Sequence, residues 1–220
     1  MKKLVIFDLD GTLLNTIDDL GDATNYALQS LGFPTHQAAA YPLYVGNGVT
    51  RLIERALPEA EATPENVSRM REKFMEYYDV HQCDKTRPYD GIVTLLKSLQ
   101  EKEIKLAVAS NKYQAAVSRL IPHFFPMVEW SALEGQKEDV PVKPDPSIVF
   151  EILTKVPTAK NDVLYVGDSG VDMETARRAC VESVGVTWGF RPARELRSAY
   201  ADHIVDTPDM ILELALHPSL

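Results

Sequence analysis

Two aspartates separated by one residue follow a short apolar run near the amino terminus. Asp8 and Asp10 stand directly after residues 4–7 and before Gly11. Side chains alternate along a strand, so both carboxylates are expected on the same side where this strand ends. Two carboxylates about 4 Å apart repel by roughly 4 kcal/mol at an effective dielectric near 20, which favours a bound cation or a shared proton. Since the ligands are all oxygens, we predict Mg²⁺.

An Asp-x-Asp-Gly sequence also occurs in solvated turns and in calcium loops. An EF-hand loop follows a helix, whereas Asp8 follows an apolar strand-like run, so the sequence favours a site at the end of a strand. In an open α/β sheet, that end is where ligands bind.

Two further polar signals follow at or beside predicted strand ends. The apolar run 105–109 leads into Ser110 and Asn111, whose hydroxyl and amide groups can donate hydrogen bonds to the oxygens of a phosphate. Lys143 precedes Pro146, which is predicted to begin a helix, and its ammonium would be a positive charge beside a phosphate. Taken singly, Ser110 is equally consistent with a helix cap and Lys143 with a surface lysine.

Two acids four residues apart follow another strand-like run. Asp168 and Asp172 lie in the sequence Gly-Asp-Ser-Gly-Val-Asp at 167–172, directly after the apolar residues 163–166. First-turn helix acids explain this pattern equally well when it stands alone. Four polar signals in chain order, each at or beside the end of a strand-like run, instead favour one shared site.

These four motifs resemble those of the haloacid dehalogenase superfamily of phosphatases. The matching positions are Asp-Leu-Asp-Gly-Thr at 8–12, Ser-Asn at 110–111, Lys-Pro at 143–144 and Gly-Asp-Ser-Gly-Val-Asp at 167–172. The resemblance spans almost the whole chain. It implies that Asp8 is a nucleophile that forms an aspartyl-phosphate, and that Asp10 acts first as an acid and then as a base.

The resemblance also assigns the other groups of the site. It implies that hydroxyl, amide and ammonium groups bind the phosphoryl group: Thr12, Ser110, Asn111 and Lys143. It implies that four acids hold Mg²⁺: Asp8, Asp168, Asp172 (directly or through a water) and, through its backbone carbonyl, Asp10. Dehalogenases of the superfamily carry an aromatic residue where Asp10 stands, so this acid favours hydrolysis or transfer of a phosphoester.

Composition limits the classes of partner. The 220 residues carry 32 acidic and 23 basic side chains, a net charge of -9, which argues against nucleic acid and anionic membrane surfaces as general partners. Cys83 and Cys180 form no CxxC pair and are expected to be reduced thiols. The apolar stretch before Asp8 is too short for a signal peptide, so we expect a cytoplasmic protein. The sequence leaves both a monomer and a dimer open.

Apolar runs and helical stretches alternate over most of the chain. Strands are predicted near 4–7, 105–109, 163–166 and 184–187. Helices are predicted near 91–102, 113–121, 146–156 and 171–180. Residues 203–205 are predicted to add an edge strand, and Pro208 to begin a terminal helix. The alternation predicts an α/β protein with a Rossmann-like, mainly parallel sheet and helices on both faces.

The segment between the first and second motifs breaks this alternation because it is helical throughout. Helices are predicted at 16–31, after residue 48 and at 64–80. We predict a small helical cap at 15–87, inserted into an α/β core formed by 1–14 and 88–220. The alternative is that these helices complete the core, which would leave the site open to bulk water.

A glycine-rich turn of the predicted cap resembles the substrate loop of phosphoglycolate phosphatases. Gly46, Asn47 and Gly48 precede a predicted helix, whose amino terminus favours anions. We predict that this turn and Arg51 bind a carboxylate of the substrate, since a guanidinium binds one through two hydrogen bonds. A surface arginine on an amphipathic helix accounts for Arg51 equally well.

The motifs together predict a Mg²⁺-dependent phosphatase that hydrolyses a small phosphate ester, with 2-phosphoglycolate as the leading candidate. A phosphosugar mutase similar to β-phosphoglucomutase and a pyrophosphate or nucleotide phosphatase would share the four motifs. A phosphorylatable, receiver-like signalling module is an alternative of a different class, because receiver domains also combine acids, a Ser or Thr and a Lys on a parallel sheet. The predicted cap and Asp10 argue against that alternative.

Overall fold

The structure is a computed structural model and describes residues 1–138 and 140–217. Within these residues the strands are β1 (Leu4–Phe7), β2 (Leu14–Asn15), β3 (Arg87–Pro88), β4 (Lys105–Tyr113), β5 (Ala132–Gln136), β6 (Val163–Gly167), β7 (Glu182–Val186) and β8 (His203–Val205). The α-helices are α1 (Ile17–Ser30), α2 (Tyr41–Tyr44), α3 (Gly48–Ala56), α4 (Pro64–His81), α5 (Ile92–Glu101), α6 (Gln114–Phe124), α7 (Ser147–Lys155), α8 (Gly170–Ala179), α9 (Ala193–Ser198) and α10 (Pro208–Leu216). Short 3₁₀ helices cover Ala38–Ala40, Glu59–Glu61 and Lys160–Asp162.

Six of these strands form one sheet in the order β5-β4-β1-β6-β7-β8, and every neighbouring pair is parallel. Val5 and Phe7 of the central strand β1 belong to one hydrophobic cluster, and Leu4 and Ile6 belong to a second. Because alternate residues of a strand face opposite sides, the two clusters lie on opposite faces of the sheet, each covered by helices. The predicted fold class, α/β with a mainly parallel Rossmann-like sheet, is confirmed.

The sheet differs from the sequence-based prediction in two strands. The prediction lacks β5, because polar residues interrupt its apolar pattern. One of them, Glu134, is nevertheless buried, beside the ammonium groups of Lys137 and Lys155. β4 continues to Tyr113, beyond the predicted end at residue 109, with a shift in its register after Ala109. Tertiary contacts, rather than local pattern, therefore determine both differences.

The predicted terminal elements are present. β8 covers residues 203–205, and α10 begins at Pro208. α7 begins at Ser147, one residue later than the predicted start at Pro146. The Asp145 carboxylate accepts a hydrogen bond from the Ser147 amide at 2.9 Å and so caps this end of the helix.

The residues between β2 and β3 carry four α-helices and most of a third hydrophobic cluster, to which Ala116 of α6 also belongs. Its large buried members are Leu20, Leu28, Tyr41, Leu52, Ile53, Met70, Phe74 and Tyr78. The predicted helices correspond to α1, α3 and α4, and the Thr63 hydroxyl caps α4 by accepting a hydrogen bond from the Asn66 amide at 3.2 Å. The prediction lacks α2, because its four residues are too few to display a helical pattern.

The chain enters and leaves this helical segment side by side. β2 and β3 pair antiparallel, with Leu14 opposite Pro88 and Asn15 opposite Arg87. The predicted cap boundaries, after residue 14 and before residue 88, fall on this ribbon. The division into a cap at 15–87 and a core at 1–14 and 88–220 stays a prediction; residues 139 and 218–220 lie outside the described part of that core.

A buried carboxylate fastens the first helix of the segment to its returning strand. Asp19, in the first turn of α1, is 2% exposed. It accepts hydrogen bonds from the Lys85 amide at 3.0 Å, the Thr86 amide at 2.8 Å and the Thr86 hydroxyl at 2.7 Å. These donors precede β3 directly, so Asp19 holds together the two chain passages that join the helices to the sheet.

Replacing Asp19 with alanine is expected to lower the free energy of unfolding by about 2–3 kcal/mol, because two amides and a hydroxyl lose their acceptor in a buried position. Urea unfolding of Asp19→Ala measures this loss. Asp22→Ala is a matched control on the same helix, since Asp22 is 41% exposed and pairs with the exposed Lys85 ammonium. The control should lose no more than about 1 kcal/mol. Equal losses in the two variants would contradict a structural role for Asp19.

The longest helix of the described residues is α4, with 18 residues. Acidic and basic side chains recur along its whole length. Across residues 1–138 and 140–217, none of the helices combines the length and the apolar composition that crossing a bilayer requires.

Candidate active site

The predicted site residues converge at the carboxyl ends of three adjacent strands. Asp8 follows β1, Ser110 lies in the last part of β4, and Asp168 follows β6. β1 lies between β4 and β6, so these residues meet at one end of the sheet. Lys143, which precedes α7, and Asp172, in the first turn of α8, reach the same place.

Asp8, Asp168 and Asp172 form a buried group, here named the aspartate cluster, in which one carboxylate oxygen of each lies within 4.8 Å of the others. A capping box at the start of α8 fixes Asp172. The Ser169 amide and hydroxyl donate to Asp172 Oδ2 at 3.1 Å and 2.6 Å. A Cβ atom at Gly167 would lie 2.3 Å from Asp172, so only glycine allows this approach.

Two further glycines allow the loops after β1 and β7 to close on Asp168. A Cβ atom would lie 2.3 Å from Asp168 Oδ2 if added at Gly11, and 2.2 Å from Asp168 Cβ if added at Gly189. The Phe190 amide donates to Asp168 Oδ2 at 2.7 Å. The sequence alone leaves open whether residues 189–191 border the site, and the structure puts this loop directly against it.

Lys143 supplies a positive charge beside the aspartate cluster. Its Nζ lies 2.9 Å from Asp8 Oδ1 and 2.7 Å from Asp172 Oδ1, and it donates to the Ala109 carbonyl at 2.9 Å. Burial lowers the pKa of the Lys143 ammonium, but the carboxylates of Asp172 and Asp8 outweigh burial and hold this pKa well above its usual value. Lys143 is therefore charged at neutral pH.

The aspartate cluster carries more negative charge than Lys143 balances. Burial raises the pKa of Asp8 to about 7, although Lys143 opposes the rise. Burial, with the charges of Asp172 and Asp8, also raises the pKa of Asp168 well above its usual value. The single ammonium of Lys143 does not balance the negative charge of three adjacent, buried carboxylates. Such a group is suited to bind a hard divalent cation that prefers oxygen ligands, such as Mg²⁺.

The carboxylate of Asp10 lies apart from the aspartate cluster. It accepts a hydrogen bond from the Thr16 hydroxyl at 2.8 Å, and Lys112 Nζ lies 3.1 Å from Oδ1 and 3.3 Å from Oδ2. Both Asp8 and Asp10 line the cavity at this end of the sheet, on the side that the sequence predicts. Their carboxylates nevertheless contact different partners, because β1 ends at Phe7 and the chain turns at Gly11.

Asn111 connects the site to Lys143 and to the helical segment. Its Nδ2 donates to the carbonyls of Lys143 and Gly46, each at 3.2 Å, and its Oδ1 accepts from the Lys143 amide at 2.8 Å. The hydroxyl oxygen of Ser110 accepts from the backbone amide two residues later at 3.2 Å. Thr12 is buried, and within the described chain its hydroxyl has no hydrogen-bond partner.

A cavity lies between this end of the sheet and the helical segment. The sheet side contributes mainly polar residues: Asp8, Asp10, Ser110, Asn111, Lys112 and Tyr113. The helical segment contributes mainly apolar residues: Leu20, Val45, Gly46, Gly48, Val49, Leu52, Phe74 and Tyr78. The reactive groups thus face a largely apolar wall.

The glycine-rich turn borders this cavity. Gly46 and Gly48 have φ angles of 117° and 82°, in the left-handed region that favours glycine. The side chain of Asn47 accepts a hydrogen bond from Arg55 Nη2 at 2.8 Å. Arg191, from the loop after β7, donates through Nη2 to the Val45 carbonyl at 2.9 Å. The turn is therefore bonded both to its own helix and to the sheet side of the cavity.

Arg51 does not lie at the cavity. Its side chain is 65% exposed, and Nη1 donates to Glu54 Oε2 at 2.6 Å. α3 buries Leu52, Ile53 and Ala56, which turns position 51 toward solvent. This placement supports the interpretation of Arg51 as a surface arginine, against the predicted contact with a substrate carboxylate.

Three residues at or beside the cavity are not singled out by the sequence patterns: Lys112, Tyr78 and Arg191. Lys112 Nζ lies over the Tyr78 ring, 4.7 Å from its centroid. Its place directly after Ser110 and Asn111, near the carboxyl end of β4, is the one sequence signal for Lys112. Tyr78 lies on an amphipathic helix and Arg191 in an irregular loop, so neither has a comparable signal.

Comparison with known proteins agrees with this geometry. The model of the haloacid dehalogenase-like hydrolase family matches residues 5–186. The chain is 33% identical to a phosphoglycolate phosphatase of Vibrio cholerae over 97% of both chains. It is 31% identical to a phosphoglycolate phosphatase of Haemophilus influenzae over 96% of this chain and 97% of that one.

A solved structure is similar over nearly the same length. It is a Lactobacillus delbrueckii subsp. bulgaricus protein assigned as a phosphoglycolate phosphatase, with a TM-score of 0.91 and 34% identity over 98% of this chain and 99% of that chain. The resemblance carried by the four sequence motifs is thereby confirmed. With its aspartate cluster at the ends of the central strands, the chain belongs to the haloacid dehalogenase-like hydrolases, as a phosphatase of that family.

Proposed function

We propose that this protein hydrolyses a small phosphate ester, 2-phosphoglycolate, through an aspartyl-phosphate formed on Asp8, and that the reaction depends on Mg²⁺. One observation carries the proposal. The Asp8 carboxylate belongs to the aspartate cluster and contacts Lys143, whereas the Asp10 carboxylate contacts Thr16 and Lys112 instead. Two carboxylates with different surroundings suit two different chemical roles.

Asp8 is the proposed nucleophile. A carboxylate attacks a dianionic phosphate poorly because both are negative, so positive charge must offset the repulsion. Lys143 provides part of that charge at 2.9 Å from Asp8. A bound Mg²⁺ would supply the rest, with Asp8, Asp168, Asp172 and the Asp10 carbonyl as its proposed ligands. The hydroxyls of Ser110 and Thr12 are the proposed hydrogen-bond donors to the phosphoryl oxygens. Both side-chain N–H groups of Asn111 already donate to the carbonyls of Lys143 and Gly46, so Asn111 is proposed to position Lys143 rather than to bind the phosphoryl group through its side chain.

Asp10 is the proposed acid and base. It would protonate the leaving oxygen as the bond to phosphorus breaks, and would then take a proton from the water that hydrolyses the aspartyl-phosphate. Thr16 and Lys112 hold its carboxylate at the cavity, within reach of a leaving group there. Such an acid favours turnover of the aspartyl-phosphate over its persistence.

Residues 15–87 are proposed to act as a cap over the site. Asn111 and Arg191 donate hydrogen bonds to two successive carbonyls of the glycine-rich turn, those of Gly46 and Val45. These bonds close the cavity from the helical side. Exclusion of water strengthens the electrostatic contacts inside it, and opening of a cap of this kind often limits turnover.

The bulky side chains of Leu20, Leu52, Phe74 and Tyr78 line the cavity together with Asp8. We infer that they restrict the leaving group to a small one. The relatives at 31–33% identity are phosphoglycolate phosphatases, and glycolate is a two-carbon leaving group. Both observations support 2-phosphoglycolate over hexose phosphates and nucleotides.

Phosphate release from a panel of esters tests the proposed function. The panel holds 2-phosphoglycolate, a hexose phosphate, a nucleoside monophosphate and pyrophosphate, each with Mg²⁺ and with a chelator. We expect kcat/KM for 2-phosphoglycolate to exceed the others at least about tenfold, and the chelator to abolish release. Equal rates across the panel would refute the proposed substrate. Isomerised hexose phosphate without phosphate release would indicate a mutase, and a long-lived phosphorylated protein a signalling module.

A further inference from the structure

Lys112 is a buried cation on the cavity wall that the proposed mechanism uses only as a neighbour of Asp10. Its side chain is 3% exposed. Of the described residues that line the cavity, Lys112 alone carries a positive charge. A lysine is seldom buried unless it has a partner, because removing an ammonium from water is costly. A buried ammonium at this position is therefore expected to pair with an anion.

Asp10 satisfies Lys112 only in part. Nζ lies 3.1 Å and 3.3 Å from the two Asp10 oxygens, and Thr16 donates to the same carboxylate at 2.8 Å. An ammonium has three N–H donors. Among residues 1–138 and 140–217, Asp10 is the one hydrogen-bond acceptor of Nζ. Lys112 thus retains capacity to donate to a ligand in the cavity.

Tyr78 lines the same cavity from the helical side, and its hydroxyl is a second polar group whose donor is free within the described residues. The residue is fully buried, and its hydroxyl makes no hydrogen bond to any described residue. Its ring stacks against Lys112 Nζ, 4.7 Å from the centroid. A buried hydroxyl without a partner is unusual, since its desolvation is uncompensated. Two residues with a free donor, Lys112 and Tyr78, are therefore among those that line one cavity, whose other helical-side residues are apolar.

The chemistry of the proposed substrate matches this location. In 2-phosphoglycolate a single methylene group separates the ester oxygen from the carboxylate carbon. Asp10 must touch the ester oxygen to protonate it. Lys112 contacts Asp10, so a substrate whose ester oxygen lies at Asp10 would bring its own carboxylate close to the Lys112 ammonium. The nearby arginines have other partners, because Arg55 donates to the Tyr44 carbonyl and Asn47 and Arg191 to the Val45 carbonyl.

We propose that Lys112 determines specificity by binding the carboxylate of the leaving group, with the Tyr78 hydroxyl as a second donor. The inference rests on the proposed function and names the residue that recognises the anionic end of the substrate. Lys112 takes the role that the sequence alone assigns to Arg51. An ester without a carboxylate would leave the buried donors without an acceptor and would be rejected on that ground.

Kinetics of Lys112→Met with two substrates test this proposal. Ethyl phosphate replaces the carboxylate of 2-phosphoglycolate with a methyl group. We expect the variant to lose about 10- to 100-fold in kcat/KM for 2-phosphoglycolate beyond any loss with ethyl phosphate, the size expected for a hydrogen bond to a charged group. Lys105→Met is the matched control, because Lys105 is exposed at the opposite end of the same strand. It should change neither constant.

Tyr78→Phe is a milder second variant, since it removes only the unpartnered hydroxyl. It should lose about 3- to 10-fold with 2-phosphoglycolate alone. Thermal melts confirm that each variant is folded, and Tyr78→Phe decides the question if Lys112→Met is not. Equal losses with both substrates would overturn the proposal while the proposed function stands, because Lys112 would then act only through Asp10. A wild-type protein without preference for 2-phosphoglycolate would refute both.

Discussion

Replacing Asp8 with asparagine is expected to abolish catalysis and, in the absence of a metal ion, to stabilise the protein. An amide oxygen is a far weaker nucleophile than a carboxylate and cannot form the aspartyl-phosphate. We therefore expect kcat to fall at least about 10³-fold. Phosphate release from 2-phosphoglycolate measures this effect. Asp90→Asn, at an exposed position before α5, is the matched control and should retain full activity.

The gain in stability follows from the pKa of Asp8. Burial raises that pKa from its ordinary value of 3.8 to about 7 in the folded protein. Between about pH 4 and pH 7 the folded state therefore binds more protons than the unfolded state, and the free energy of unfolding falls as pH rises. Above pH 7 the folded protein bears the full cost of the buried charge. Asparagine carries no charge, so this cost disappears.

The expected size is roughly 2–4 kcal/mol at pH 8, since one pKa unit corresponds to about 1.4 kcal/mol. Urea unfolding in a chelator at pH 8 and at pH 4 checks the sign. Asp8→Asn should be more stable than the natural protein at pH 8, and the difference should nearly vanish at pH 4, where Asp8 is protonated in the folded state and the pH lies close to its ordinary pKa of 3.8. An equal difference at both pH values would show that the effect does not come from ionisation of Asp8.

The core of the site is predictable because its residues follow apolar runs in chain order. Asp8 and Asp168 come directly after β1 and β6, and parallel strands bring such positions together at one end of a sheet. β5 is not predicted from the sequence because a charged residue, Glu134, lies buried in its middle. The ammonium groups of Lys137 and Lys155 pair with Glu134 and make its burial possible. The local sequence pattern shows that Glu134 disfavours a buried strand, but it does not show the two lysines that compensate for its burial.

The side of the site that faces the helices is harder to predict, because it depends on how separate segments meet. Tyr78 contacts Lys112, which lies 34 positions later in the sequence, and nothing in the sequence around either residue predicts this contact. Arg51 illustrates the reverse case. It stands beside two glycines in the sequence, but the apolar residues Leu52 and Ile53 fix the rotation of α3 and direct Arg51 to solvent. Proximity in sequence is a weaker guide here than the phase of the helix.

Replacing Lys143 with methionine is expected to remove activity and, unlike Asp8→Asn, to destabilise the protein. Lys143 is the ammonium that contacts both Asp8 and Asp172. Its loss leaves buried carboxylates without their cation, a change that typically costs about 3–5 kcal/mol. Loss of its proposed contact with the phosphoryl group should lower kcat about 10²- to 10³-fold. Lys97→Met, at an exposed position of α5, is the matched control and should change neither quantity.

The pH dependence of the stability of Lys143→Met distinguishes a loss caused by unbalanced charge from a loss caused by poorer packing. The loss of stability in Lys143→Met should be largest at pH 8, where Asp8 is ionised, and should shrink toward pH 4 as the raised pKa values of Asp8 and Asp168 allow both to take up protons. Urea unfolding at the two pH values measures it, and a loss independent of pH would indicate a packing defect instead. Asp8→Asn removes a negative charge from the cluster and Lys143→Met removes its positive charge. Opposite effects on stability in two inactive variants would therefore mean that the site is short of positive charge until a cation binds.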